Sequence, residues 1–226
     1  MAWKSRQILI GGFKDQIDYR KVREEDYERL EELIRKTWGS KNKYPEKIER
    51  ARRKASLYHY LSEQNYSCVA VRAGEVVGVL LGRSERLPYY KNKLRYLFPL
   101  LVNRAKLALS RLGRRILRNN LAEARADRQL LRSAKREFDG ELVLFVTDGA
   151  MQGRGIGTAL LRRFYEFLRQ NSSKSLYLFT DTACNFGFYQ RKGYRRIAEK
   201  RVHYHTPKGI TSEDHFLYIT NLPQCS

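Results

Sequence analysis

The sequence predicts an α/β chain, a sheet flanked by helices, on three observations. Short apolar runs of strand character alternate with segments whose apolar residues recur every three or four positions. One of those runs, Leu142-Val143-Leu144-Phe145-Val146, leads through a glycine-rich turn straight into a helical pattern. A long basic stretch of helical period separates the first strand candidates from the rest. At 226 residues with 42% hydrophobic side chains, the chain has material for one sizeable core and is not a disordered segment.

Taken in order, residues 18–22 are a strand candidate. From Glu24 the spacing of Tyr27, Leu30, Leu33 and Ile34 predicts a helix, and a second, basic helix is expected from Pro45 to Leu61. Ser67 to Arg72 and Val76 to Gly82 read as a hairpin around Ala73-Gly74-Glu75. Residues 84–138 carry 15 Lys or Arg against four acids (Glu85, Glu123, Asp127 and Glu137), a net +11 out of +21 for the chain. Leu94, Leu97, Leu101, Ala105, Ala108, Leu112 and Ile116 fall on one helical face, the expected packing face of an amphipathic helix, with Pro99 starting or kinking that helix. A further helix is expected around Leu121 to Lys135. Then come a strand from Glu141 to Thr147, a helix from Gly157 to about Arg169, and a strand from Leu176 to Thr180. A short helix from Asn185 to Lys192 ends at Gly193, and strands from Tyr194 to Tyr204 and His215 to Thr220 close the chain.

Charge and cysteines narrow the setting. A net charge of +21 calls for a polyanionic neighbour: nucleic acid, an anionic membrane surface, or an acidic cofactor or substrate. Cys68, Cys184 and Cys225 make neither a disulfide framework nor a metal-binding spacing, and they read as free thiols. The apolar run Ile8-Leu9-Ile10 is too short for a signal peptide or a membrane span, so a cytoplasmic setting is expected.

The chemistry concentrates in Gln152-Gly153-Arg154-Gly155-Ile156-Gly157-Thr158. A helix's first turn offers backbone N–H groups without partners and a partial positive charge, and glycines let an anion come close. A diphosphate suits such a turn. The string lacks the Gly-Lys-Ser/Thr ending of a Walker loop, and Gln152 stands where a dinucleotide fingerprint has its first glycine.

Gln152-x-x-Gly155-x-Gly157 after a strand resembles the coenzyme A signature of the GNAT acetyltransferases. Asn185-Phe186-Gly187-Phe188-Tyr189-Gln190-Arg191-Lys192-Gly193-Tyr194 resembles that family's short tyrosine-bearing helix. The resemblance covers roughly residues 18–83 and 139–220. It implies a mixed, mostly antiparallel sheet, with 84–138 as a helical insertion between the third and fourth strands of one domain spanning 1–226. It also implies an acetyl-CoA-dependent N-acetyltransferase that moves an acetyl group to a primary amine by direct transfer in a ternary complex, with no metal and no covalent enzyme intermediate. Gly153, Arg154, Gly155, Ile156, Gly157 and Thr158 are then expected to hold the pyrophosphate, with Gln152 at the mouth of the loop. Phe145, Val146 and Thr147 are expected to pair with the pantetheine arm.

The same resemblance makes Tyr189 the acid that protonates the departing thiolate, against the simpler reading of an aromatic packing its helix. Glu141 is the candidate base, against a solvated strand end; Asp148, His203 and His205 are weaker candidates. Asn185 is a coenzyme contact or a helix cap, four residues before Tyr189 and expected on its helix face. Where many members have an asparagine seven residues before the tyrosine, this chain has Thr182. The insertion is expected to border the acceptor pocket and to supply positive charge there. It also opens two alternatives: RNA binding through phosphate contacts and stacking on Tyr89, Tyr90 and Tyr96, or docking on anionic lipid. The acceptor remains open among a small amine, a peptide or protein amine and an RNA-linked amine, as does monomer or homodimer. A non-catalytic member that binds nucleic acid or a partner through its insertion is the alternative to an enzyme.

Overall fold

A computed structural model describes residues 16–38, 44–88, 90–182, 184–207 and 209–222. The run Ile8-Leu9-Ile10, Tyr89, Lys208 and Cys225 lie outside them. Seven strands make one sheet: β1 (Ile17–Arg20), β2 (Tyr66–Arg72), β3 (Glu75–Ser84), β4 (Gly140–Thr147), β5 (Ser175–Asp181), β6 (Arg195–Thr206) and β7 (Gly209–Asn221). Their spatial order is β1-β2-β3-β4-β5-β7-β6, and every pairing is antiparallel except the parallel β4–β5 pair. The sheet is therefore mixed and mostly antiparallel, as predicted.

Helices cover both faces. α5 (Ile156–Gln170) buries Ile156, Leu160, Leu161, Phe164 and Leu168 on one face, against Leu80, Leu142 and Leu178. On the other, α1 (Tyr27–Trp38) and α2 (Glu46–Ser62) set Leu30, Leu33, Leu57 and Leu61 against Val69, Val79, Leu81 and Leu144. The short α6 (Gly187–Arg191) joins the α5 side through Tyr189.

The insertion between β3 and β4 is two helices, as expected, but they divide before Ile116 and not after it: α3 (Tyr90–Ala108) and α4 (Arg111–Ser133). The break falls at Ser110, whose hydroxyl accepts a hydrogen bond from the Gly113 N–H (2.9 Å) and caps α4. Helix α3 runs on through Pro99, whose carbonyl accepts from the buried Asn103 side chain at 2.8 Å. The face of α3 that packs is also not the one expected. Leu100 and Leu107 meet α2 at Ala51 and Ala55, and Tyr96 joins Leu57 and Leu61, while Leu94, Leu97 and Leu101 stay exposed. Helix α4 lies over the far half of the sheet, Leu130 meeting Tyr177, Leu217 and Ile219.

The last strand is far longer than its apolar run. His215 to Ile219 is buried, but pairing with β6 extends β7 back to Gly209, where the sequence from Ile210 to Glu213 carries no strand alternation.

Candidate active site

The site is built around one irregularity. β4 and β5 pair only at Gly140–Leu176, Glu141–Tyr177 and Leu142–Leu178, although β4 runs on to Thr147 and β5 to Asp181. A register shift on the other side of β4 sets Leu81 opposite Leu144 and Gly82 opposite Leu142, so Val143 is an extra residue. Such a bulge bends a strand and re-aims it. Beyond it the two strands part into a wedge, and β4 from Leu144 to Thr147 is paired with β3 alone.

The glycine-rich loop opens beside that wedge. Asp148 ends β4 with its N–H on the Val77 carbonyl (2.8 Å), its carboxylate on the Ala150 N–H (3.0 Å) and an ion pair to Arg29 (2.8 Å). These contacts occupy Asp148 in anchoring the turn. Gly153 and Gly155 have φ of +81° and +75°, in the left-handed region that side chains avoid. Gly155 is the N-cap of α5, and no side chain caps that helix, so its first-turn N–H groups face outward beside exposed Gln152, Arg154 and Thr158. Gly157 serves contact instead: a Cβ there lies 3.1 Å from the Phe145 ring, so its absence seats α5 on β4.

Phe145 carries the site toward α6. Its ring lies 5.5 Å from Phe188 and 6.4 Å from Tyr189, and Tyr189 lies edge-on to Tyr194 at 5.6 Å. Burial raises the Tyr189 phenol above its usual range, so it stays protonated through neutral pH. Asn185 does not share its helix. α6 begins only at Gly187 because Cys184 to Phe186 form a tight turn, with the Phe186 N–H on the Cys184 carbonyl (2.9 Å), and the N-cap is Phe186 with no side-chain cap. Asn185 is exposed and is not the capping residue; Thr182 is exposed as well.

Glu141 lies on the sheet face opposite Tyr189. Gly140 and Leu142 point at α5, so by alternation Glu141 points away from it. Its carboxylate pairs with Arg83 at 2.5 Å and accepts from the Tyr177 hydroxyl at 2.8 Å. Burial raises its pKa, while Arg83 and Tyr177 oppose the shift. The structure does not bring Glu141 and Tyr189 together; they are on opposite faces at the closed end and the open mouth of the wedge.

A second group of side chains, which the sequence did not single out, gathers at the open end on the Glu141 face. Ligand atoms of Asp181, Glu213 and His215 lie within 4.8 Å of one another. His215 is buried, with Nε2 at 2.5 Å from the Tyr204 hydroxyl and Nδ1 at 3.4 Å from Asp127 on α4. Burial lowers the His215 pKa, but Asp127 and Glu123 outweigh it and raise it. Glu123, one turn before Asp127, makes no hydrogen bond or ion pair among the described residues. Desolvation, together with the charges of Asp127, Asp181 and Glu213, pushes its carboxyl up to about 7, against the pull of His215. The charge of Asp181 also acts on Tyr189, which links this group to the other face. The insertion thus brings acids, Glu123 and Asp127, to this end of the sheet, while Arg111, Arg114, Arg118, Arg125, Arg128 and Arg132 of α4 are exposed. One signal was available: Glu123 and Asp127 are half the acids of the basic segment and stand four apart.

The remaining candidates are peripheral. His203 is exposed and bonded to Ser212 (2.8 Å), and His205 meets Asn119 through its backbone. Tyr96 is buried with its hydroxyl 3.1 Å from that of Tyr27, so it is not available for stacking on a base.

Comparison with known proteins agrees with this fold. The family model described as "Acetyltransferase (GNAT) family" matches residues 27–194. Among solved structures, the ribosomal-protein-S18-alanine N-acetyltransferase from Escherichia coli superposes with a TM-score of 0.53 at 11% identity, over 93% of this chain and 97% of that one. The polyamine N-acetyltransferase of Drosophila melanogaster gives 0.53 at 15% identity, over 92% and 100%. An aminoglycoside 6'-N-acetyltransferase complexed with coenzyme A gives 0.51 at 12%, over 92% and 99%. At these identities the likeness is one of fold. No curated protein matches the chain significantly.

Proposed function

This chain belongs to the GNAT acetyltransferase family, and from that premise we propose that it moves an acetyl group from acetyl-coenzyme A to a primary amine by direct transfer in a ternary complex. The observation that carries the reading is the parting of β4 from β5 beside an uncapped helix start. An extended strand edge and a set of anion-seeking N–H groups stand side by side, which fits a molecule with a diphosphate at one end and an amide-bearing arm. In this reading Gly153 to Thr158 hold the diphosphate, with Gln152 and Arg154 at its border. The edge from Phe145 to Thr147 receives the arm, and Asn185 is a contact at the mouth. Acetyl-coenzyme A supplies the acetyl group as a thioester, already activated for attack.

Tyr189 Oη is the proposed acid. Burial keeps its phenol protonated at neutral pH, so a proton stands beside the place where the departing sulfur takes up charge, and passing it on leaves a phenolate that the next proton from solvent restores. The incoming ammonium must also lose a proton. Glu141 is the proposed base from its place in the family pattern, and Glu123 is a second reading favoured by geometry. Glu141 is occupied by Arg83 and Tyr177, whereas Glu123 has no such partner among the described residues and a pKa of about 7, near the value that suits a base at neutral pH. The acids around Glu123 support a cationic acceptor, which they would draw to the wedge in a protein otherwise strongly positive.

Isothermal titration of the full chain with acetyl-coenzyme A tests the proposal. One site per chain is expected, weakened roughly tenfold or more in Gly155→Glu, which sets a carboxylate where the diphosphate belongs. No heat of binding in a folded wild-type protein refutes it.

A further inference from the structure

Helix α3 has two apolar faces and only one is used inside the fold. Tyr96, Leu100 and Leu107 pack inward. Leu94, Leu97, Phe98, Leu101, Ala105 and Ala108 make a second stripe, falling within an arc of about 120° at the helical pitch. That stripe faces solvent: Leu94 is 68% exposed, Leu97 39%, Phe98 75% and Leu101 51%, with Leu109 at 85% just beyond. Bare apolar rows of this length mark a contact surface.

Cations border the stripe on both sides. By helical position Lys93 and Arg104 lie along one edge and Arg95 and Lys106 along the other, all exposed. Arg95 and Lys93 reach Glu24 (2.6 Å) and Glu63 (3.6 Å) at the surface, contacts that solvent keeps weak. Where the stripe stops, Arg114 donates to the Ala108 carbonyl (2.9 Å), and Arg111, Arg114, Arg115 and Arg118 line an open recess of about 750 Å³ with Leu117.

We propose that α3 lies in the plane of an anionic lipid surface, its leucine and phenylalanine row entering the headgroup boundary and the flanking cations meeting lipid phosphates. Charge complementarity decides the occupant. A second copy would bring two cationic rims together, whereas an anionic bilayer satisfies rim and stripe at once. An RNA would satisfy the rim alone, and Tyr96 is buried. The attachment is peripheral: among the described residues no helix is long and apolar enough to cross a membrane.

The test is sedimentation of the full chain with vesicles of phosphatidylcholine alone or mixed with phosphatidylglycerol. Binding is expected to the mixed vesicles, weakened by salt, and at least about tenfold weaker in a Phe98→Glu, Leu101→Glu double variant. Both side chains are exposed, so its melting temperature and acetyl-coenzyme A titration stay at wild-type values, which separates this reading from the proposed enzyme activity. Arg115→Glu with Arg118→Glu reduces both binding and its salt dependence. Equal binding to neutral and anionic vesicles, or wild-type binding by the Phe98 and Leu101 variant, overturns the proposal. So does a concentration-dependent dimer abolished by that variant without vesicle binding, which assigns the stripe to a second copy. Salt-sensitive RNA binding in a protein that ignores vesicles also overturns it.

Discussion

Replacing Glu123 with glutamine tests the acidic wall of the wedge in stability and in rate together. The carboxyl titrates at about 7 in the folded chain against an ordinary 4.5, so folding favours its protonated form. Below the ordinary value both states are protonated and nothing is lost. As pH rises from 4.5 to about 7 the unfolded chain ionises first, and the folded state loses stability relative to it; above 7 the loss is constant. At 1.36 kcal/mol per unit, the full loss is roughly 3 kcal/mol, an upper bound because the side chain keeps some contact with solvent.

Glu123→Gln removes that cost. The variant should melt above wild type by up to about 6–12 °C beyond neutral pH, with the gap closing toward pH 5. Glu123 helps to raise the His215 pKa, so in the variant His215 loses its proton at lower pH, which trims the gap where that histidine titrates. Melting curves by circular dichroism across that range are the assay, paired with kcat/KM on whichever amine is turned over. If Glu123 is the base, its limb near 7 leaves the rate profile of the variant. Parallel melting curves at every pH refute the desolvated carboxylate. A shared rate limb near 7 removes Glu123 as base and returns the role to Glu141.

The site and the core give two more predictions. Tyr189→Phe should lower kcat by about a hundredfold or more while acetyl-coenzyme A affinity and melting temperature hold, since the ring contacts with Phe145 and Tyr194 remain; unchanged kcat removes the acid role. Gly82→Ala places a Cβ 2.2 Å from Cζ of Phe164, a ring with no exposed surface to retreat to. Thermal melting should show a loss of about 1–3 kcal/mol, and Gly149→Ala, which meets nothing within 4 Å, should match wild type. Equal melting of the two variants refutes the close seat of α5 on β3.

What the sequence determined lies mostly between Gly140 and Gly193. There an unbroken apolar strand, left-handed glycines and a helical apolar stripe are local signals, each readable within a few residues because backbone preference and period set them. The loop, α5 and the tyrosine of α6 were legible for that reason. Other features needed the packed chain. Period shows that a helix face is apolar but not what it meets, so α3 with its two apolar faces was assigned the wrong one until α2 took up Leu100 and Leu107. The residues from Gly209 to Asp214 are strand only because β6 supplies the backbone partners. The wedge follows from a bulge that shows itself only as a register shift against β3. Glu123 and Asp127 meet Asp181, Glu213 and His215 across nearly a hundred residues of sequence. No local pattern encodes that meeting; it exists because α4 packs back across the sheet and lays Asp127 against the middle of β7, with Glu123 one turn away.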